Sequence, residues 1–207
     1  MAKEKKLFRE SRIYPIFFMI IVTAFFIGIL ATFYQLTAEK VDNYRQRQLK
    51  LMVLGTFDLP TDNVEADFQR YITYKETENF SYYQASQNDE FLGYCFPISG
   101  SGLWGTIEAL LAVTPDLKKI INLEIVTQNE TPGLGGRITE EWFKNQFADK
   151  LLFVDNSLQK FQLVAENETL QAEEVSQITG ATASSKAVVD IIYKNMQKID
   201  SELRAKL

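Results

Sequence analysis

The sequence predicts an α+β domain built on a mainly antiparallel sheet with packed helices, preceded by one N-terminal transmembrane helix. Three observations carry this reading. An uncharged, mostly apolar run fills Ile13 to Leu36, strand patterns recur between Phe91 and Val164, and an apolar stripe at helical spacing closes the chain. At 207 residues the chain allows one domain of ordinary size plus an appendage. Four segments are expected: a basic tail over 1–12, the membrane helix over 13–36, a juxtamembrane helix or linker over 37–60, and the folded domain over 61–207.

The run IYPIFFMIIVTAFFIGILATFYQL exceeds the about 20 residues that cross a bilayer. A secretory signal has an apolar core of about 7–15 residues and a small-residue cleavage site. Leu36-Thr37-Ala38 is a poor version of that site, so the run reads as a retained anchor. Lys3, Lys5, Lys6, Arg9 and Arg12 precede it, against Glu4 and Glu10. The positive-inside tendency therefore keeps the N-terminus cytoplasmic and sends the rest outside. Lys40, Arg45, Arg47 and Lys50 follow the run, but long C-terminal domains cross largely regardless of charge. Ala24, Gly28 and Ala31 form a small-residue face that could meet either lipid or a membrane partner.

Helix formers over Ala38 to Leu54 continue the anchor as a helix, which Gly55 and Pro60 punctuate. Val64 to Tyr74 reads as a short helix in an otherwise polar stretch over Asp62–Asp89. Phe91–Ile98 and Ile107–Val113 are strand candidates, the second interrupted by Glu108. Thr114-Pro115-Asp116 makes a turn, and Ile121–Val126 alternates with the period of a half-buried strand. Glu140–Phe147 reads as a short helix with two acids in its first turn. Leu151–Val154 and Leu158–Val164 are further strands, joined by the turn Asp155-Asn156-Ser157. Val188, Val189, Ile192, Tyr193, Met196, Ile199 and Leu203 recur at spacings of three and four, the mark of an amphipathic helix.

Composition removes several chemistries. The net charge is −5, which argues against nucleic acid as a partner. The single cysteine, Cys95, cannot form an internal disulfide, and its apolar surroundings fit a buried thiol. With no histidine in the chain, a Ser-His-Asp triad or an imidazole-ligated metal is excluded. Redox work in this domain would need an organic cofactor.

Three glycine-rich loops stand apart: Gly100-Ser-Gly-Leu-Trp-Gly105, Glu130-Thr-Pro-Gly-Leu-Gly-Gly136, and Ile178-Thr-Gly-Ala-Thr-Ala-Ser-Ser185. Singly they read as a hairpin turn, an Ω-type loop and a helix N-cap. Together they say more. The last opens a helix, whose first amides and dipole make an anion site. Leu103, Trp104 and Leu134 could supply an apolar wall beside it. A flat ring with a phosphate tail, such as flavin mononucleotide, fits that pairing. Neither a dinucleotide fingerprint nor a Walker-type loop is present.

These loops resemble the FMN-binding domain shared by the C subunit of the sodium-translocating NADH:quinone reductase and the G subunit of the Rnf complex. Thr179-Gly-Ala-Thr182 matches the family motif Ser/Thr-Gly-Ala-Thr, where a flavin transferase esterifies FMN to the final threonine. The resemblance therefore implies covalent FMN on Thr182. It assigns Thr179, Gly180, Ala181, Ser184, Ser185, Leu103, Trp104, Glu130, Thr131, Gly133, Leu134 and Gly135 to the cofactor site. Gly102-Leu-Trp-Gly105 and RQRQLKLMVLG look more like the quinone-reductase protein than the Rnf one. Two positions depart from the pattern: Ser176 stands where an aspartate is usual, and Gln128-Asn129 where a histidine is often found.

The resemblance implies an FMN electron carrier on a bacterial inner membrane, working with other membrane subunits of a redox-driven ion pump. No catalytic residue and no metal site are expected. Two alternatives stand beside it: the same cofactor serving an Rnf-type complex or another extracytoplasmic reductase, and an anchored sensor or scaffold module without a cofactor.

Overall fold

The computed structural model describes residues 13–166 and 168–204, so the basic tail expected over 1–12 lies outside the described residues. The chain divides into two compact units between Gln46 and Arg47. In the first unit lies most of the helix α1 (Tyr14–Gly55), a single uninterrupted element of 42 residues. Its apolar N-terminal part has a mean hydropathy of 2.7 and is 0% buried. By length and composition that part can cross a membrane.

The second unit begins with the last turns of α1. Next come α2 (Val64–Tyr71) and an antiparallel meander of β1 (Ile72–Glu76), β2 (Ser81–Gln87), β3 (Glu90–Ser101), β4 (Thr106–Val113) and β5 (Ile120–Thr127). A 3₁₀ turn (Gly135–Thr139) and α3 (Glu141–Asn145) follow. The hairpin β6 (Phe153–Val154) and β7 (Ser157–Leu158), the parallel pair β8 (Gln162–Val164) and β9 (Glu174–Ser176), and α4 (Thr182–Arg204) complete the unit.

Side chains alternate across the sheet. Phe96, Ile98, Ile107, Ala109, Leu111, Leu123 and Ile125 face α4, α3 and the 3₁₀ turn. Cys95, Leu110, Ala112, Ala85 and Ile72 face the opposite way and are covered by Val53 and Leu54 of α1, with Phe57, Leu59 and Val64. Both faces are therefore buried, which explains why β4 is a near-continuous apolar run. Its one interruption, Glu108, is exposed and accepts from the Thr127 hydroxyl at 3.0 Å.

Several expectations change. Val64–Tyr74 is helical only to Tyr71, because Ile72-Thr73-Tyr74 prefers the extended backbone and starts β1. β2 carries no strand signal of its own; SYYQASQ is polar and only Ala85 is fully buried. The helix over Glu140–Phe147 is shorter, with Glu140 outside it and the α-helix ending at Asn145. Leu158–Val164 is not one strand but two short ones separated at Gln159–Phe161. The Asp155-Asn156 turn forms with φ of 48° and 61°, the geometry of a two-residue hairpin. The end of α1 also packs into the core of the second compact unit, which begins at Arg47.

Candidate functional site

All three glycine-rich loops meet at one end of the sheet, and a single carboxylate joins them. Glu130 is 4% exposed. Its Oε1 accepts from the amides of Leu103 at 2.8 Å and Trp104 at 3.1 Å, in the β3–β4 hairpin. Its Oε2 accepts from the hydroxyl of Ser184 on α4. Two glycines make room for this junction. A Cβ on Gly102 would run into Glu130 Oε1, and one on Gly135 into Ser184 Oγ and, at 2.8 Å, Glu130 Oε2. Gln128 supports the glutamate from behind, its Oε1 accepting from the Glu130 amide at 2.6 Å. Asn129 packs where Gly105 leaves space.

The α4 terminus is held independently. Gly180, at φ +79°, turns the chain into the helix. Buried Ser185 donates to the Ala181 carbonyl at 3.1 Å and accepts from the Ile178 amide at 3.0 Å, tying the loop to the first turn. Ser185 is the first α4 residue whose amide donates to the backbone, to Ala181 at 3.0 Å. The amides of Thr182, Ala183 and Ser184 precede it without a backbone partner among the described residues, as expected at a helix start. Thr182 is exposed there, with Thr179 and Gly180 exposed beside it and Ala181 buried.

Around this terminus stand three exposed apolar side chains. Trp104 is 70%, Leu103 59% and Leu134 45% exposed, although their loops are pinned by the buried Glu130. Leu134 also reaches across to the third loop, with its Cδ2 3.2 Å from where a Gly180 Cβ would stand. Thr131 supplies the turn beneath it, its carbonyl accepting from Leu134 at 3.1 Å and Gly136 at 3.0 Å. Gly133, at φ +74°, faces open space.

A flank that sequence reading missed completes the picture. Glu166 accepts from the Thr179 amide at 2.8 Å and pairs with Arg137 at 3.5 Å. The hydroxyl and amide of Thr179, with Arg137 adding to them, hold the Glu166 carboxyl below its usual value. Arg137 in turn pairs with Glu140 and lies over the Trp142 ring at 5.4 Å. Nothing in spacing announces this set, because Glu166, Thr179 and the stretch from Arg137 to Trp142 lie far apart in the sequence. Ser176 lies close by on β9, where Gln146 bonds both its amide, at 2.6 Å, and its carbonyl, at 3.3 Å.

Residues 102–197 of the chain match the FMN-binding domain family. The chain is also 30% identical over 204 residues to the G subunit of the proton-translocating ferredoxin:NAD(+) oxidoreductase complex of Clostridium ljungdahlii, covering 96% of both. The chain belongs to the FMN-binding domain family. This family member is 33% identical over 107 residues to the C subunit of the Na(+)-translocating NADH-quinone reductase of Vibrio anguillarum, covering 51% of itself and 42% of that protein. Its fold matches the solved C subunit of the same type of reductase from Parabacteroides distasonis with a TM-score of 0.62 at 20% identity, over 72% of this chain and 87% of that one. It matches Shewanella oneidensis NqrC with a TM-score of 0.65 at 17% identity, over 73% and 91%. The expected antiparallel α+β architecture is thus that of solved relatives.

Proposed function

We propose that the chain is a single-pass membrane protein, N-terminus cytoplasmic and domain outside, that carries electrons on an FMN esterified to Thr182 within an ion-translocating oxidoreductase complex. One observation carries this reading. Thr182 is exposed as the first residue of a 23-residue helix, at the end of the sheet where the loops expose Leu103, Trp104 and Leu134.

The residues present fit such a group. A phosphodiester keeps one negative charge, and the amides of Thr182, Ala183 and Ser184, without a backbone partner among the described residues, are donors for it. The helix terminus adds about 0.3–1 kcal/mol at an exposed position. Leu103, Trp104 and Leu134 offer an apolar, partly aromatic face for a ring system. Glu130 and Ser185 belong to the framework rather than to the ligand face, because their polar atoms are spent on loops and helix. Bound FMN would supply the redox chemistry, while the chain binds and orients it. A covalent link suits an exported carrier, which has no cytoplasmic FMN pool from which to reload.

Two kinds of complex have support. The end-to-end alignment with the Clostridium protein favours a ferredoxin:NAD(+)-type assembly, while the Gly102-Leu-Trp-Gly105 loop favours a quinone-reductase type. Co-purification of the tagged chain with its membrane partners, followed by reduction with either ferredoxin or NADH, separates them.

Coexpressed with a flavin transferase in an exporting host, the chain is expected to fluoresce after denaturing electrophoresis. Its intact mass should rise by one FMN less one water. Thr182→Ala should remove both signals while leaving the melting temperature unchanged. Flavin retained covalently by that variant would refute the assignment.

A further inference from the structure

A lysine-lined groove runs beside the proposed flavin position. It encloses about 490 Å³ between α4 and the stretch Ser99–Leu103 at the end of β3. Two features shape it. β2 pairs with β3 only as far as Tyr83↔Cys95, so the far half of β3 has no strand on that side. Gly100 lets α4 lie against the strand, since an added Cβ would come 2.6 Å from Ile191 Cγ1. Asn195 fixes the two together, donating to the Ser99 carbonyl at 3.0 Å.

The charge in this groove is one-sided. Lys186, Lys194 and Lys198 line it, all are exposed, and none makes an ion pair among the described residues. The one acid lining it, Asp190, is already paired with Lys160 at 2.6 Å. Three cations without an ion pair among the described residues thus sit on one helix face of a chain whose net charge is −5. Spacings of eight and four residues spread them over about 18 Å of helix. Lys186 lies one turn beyond Thr182, so the row starts at the proposed flavin.

This layout does not suit a small anion. Lysines are flexible, strongly hydrated point charges, and a row of them does not converge on one phosphate as a guanidinium fork does. A row does attract an extended surface of opposite sign and speeds encounter at low salt. Electron-exchanging proteins meet through small, transient contacts that depend on such steering. We infer that the α4 groove is the docking surface for a carboxylate-rich face of the protein that exchanges electrons with this chain. Its purpose rests on the proposed flavin at Thr182; its charge does not.

The test uses the full flavinylated chain in phosphatidylcholine nanodiscs, with an acidic flavodoxin and a basic cytochrome c as redox probes. The rate constant with flavodoxin should fall as salt shortens the Debye length from about 30 to about 10 Å. The triple substitution Lys186→Glu, Lys194→Glu, Lys198→Glu should lower it at least about tenfold at low salt, converge with wild type at high salt, and raise the rate with cytochrome c. Glutamine at the same positions should give an intermediate loss, and Lys75→Glu with Lys118→Glu no change. A wild-type rate in the triple variant would overturn the inference, as would an equal loss in the control pair. So would inhibition by inorganic phosphate beyond that of chloride at equal ionic strength, which marks a small-anion site. A lysine dependence confined to phosphatidylglycerol nanodiscs, which marks a lipid site, would overturn it too. Flavodoxin binding to the flavin-free Thr182→Ala chain, read by fluorescence anisotropy, separates the two ideas. Lysine-dependent binding there supports docking even if no covalent flavin forms.

Discussion

Glu130 is the residue whose loss the three-loop junction should feel most. Alanine at this position removes acceptors from Leu103 N, Trp104 N and the Ser184 hydroxyl. The two amides lie on an exposed hairpin and can be hydrated, so little is lost there beyond the bonds themselves. Ser184 is 1% exposed, and its hydroxyl would be left unpaired. A hydrogen bond to a charged group is worth about 1.5–3 kcal/mol net, and a buried unsatisfied group costs about 1–3 kcal/mol. Allowing for hydration of the amides, the destabilisation comes to about 3 kcal/mol. At about 2–4 °C per kcal/mol for a domain of this size, Tm should fall by about 6–12 °C. Glu130→Gln keeps an oxygen for the amides and turns an NH₂ toward Ser184, whose oxygen can accept, so its loss should be about 1 kcal/mol. Thermal melts of the three proteins in one detergent measure this, with hydrogen exchange at Leu103 and Trp104 as a local readout. An alanine variant melting within about 2 °C of wild type would refute the view that Glu130 holds the loops together.

Other outcomes follow from individual contacts. Gly135→Ala pushes a methyl into Ser184 and Glu130 and should destabilise by about 1–3 kcal/mol. Gly133→Ala meets open space and should cost only about 1 kcal/mol through its positive φ, so urea titration of the pair should rank 135 well above 133. Burial pushes the Cys95 thiol up from 9.0 to about 12, with the Thr56 hydroxyl acting the other way. The raised value means that this contribution to stability is fully present below about pH 9 and is lost as pH climbs through about 12. Iodoacetamide at pH 8 should therefore leave native Cys95 unlabelled and modify it in denaturant; equal rates in both would contradict its burial.

Elements with a strong local period are readable from the chain alone. The α4 stripe from Val188 to Ile199 and the alternation in β5 each need only one buried face to announce them. β1 and β2 are not readable in this way, since Tyr74, Tyr82 and Tyr83 are at most partly covered and polar residues lie between them. The glycine loops outline the site, because tight turns and close approaches demand glycine wherever they occur in the sequence. What they cannot give is the division of labour inside it. Glu130 and Ser184 are 54 positions apart, so no spacing rule signals that they bond each other. The same holds for Glu166 and Thr179, and for Gln146 and Ser176. Ser185 reads in the sequence as a hydroxyl either for a ligand or for the helix cap, and in space it bonds Ile178 and Ala181 at the helix start.

The floor that Val53, Leu54, Phe57 and Leu59 lay under Ile72, Cys95 and Leu110 decides what happens when the stalk is severed. A protease clipping after Leu59 would not release the domain with its core intact. It would release a sheet with one greasy side wetted, ready to stick to the next such fragment. The last turns of α1 are thus part of the folded domain and not a tether that can be trimmed away.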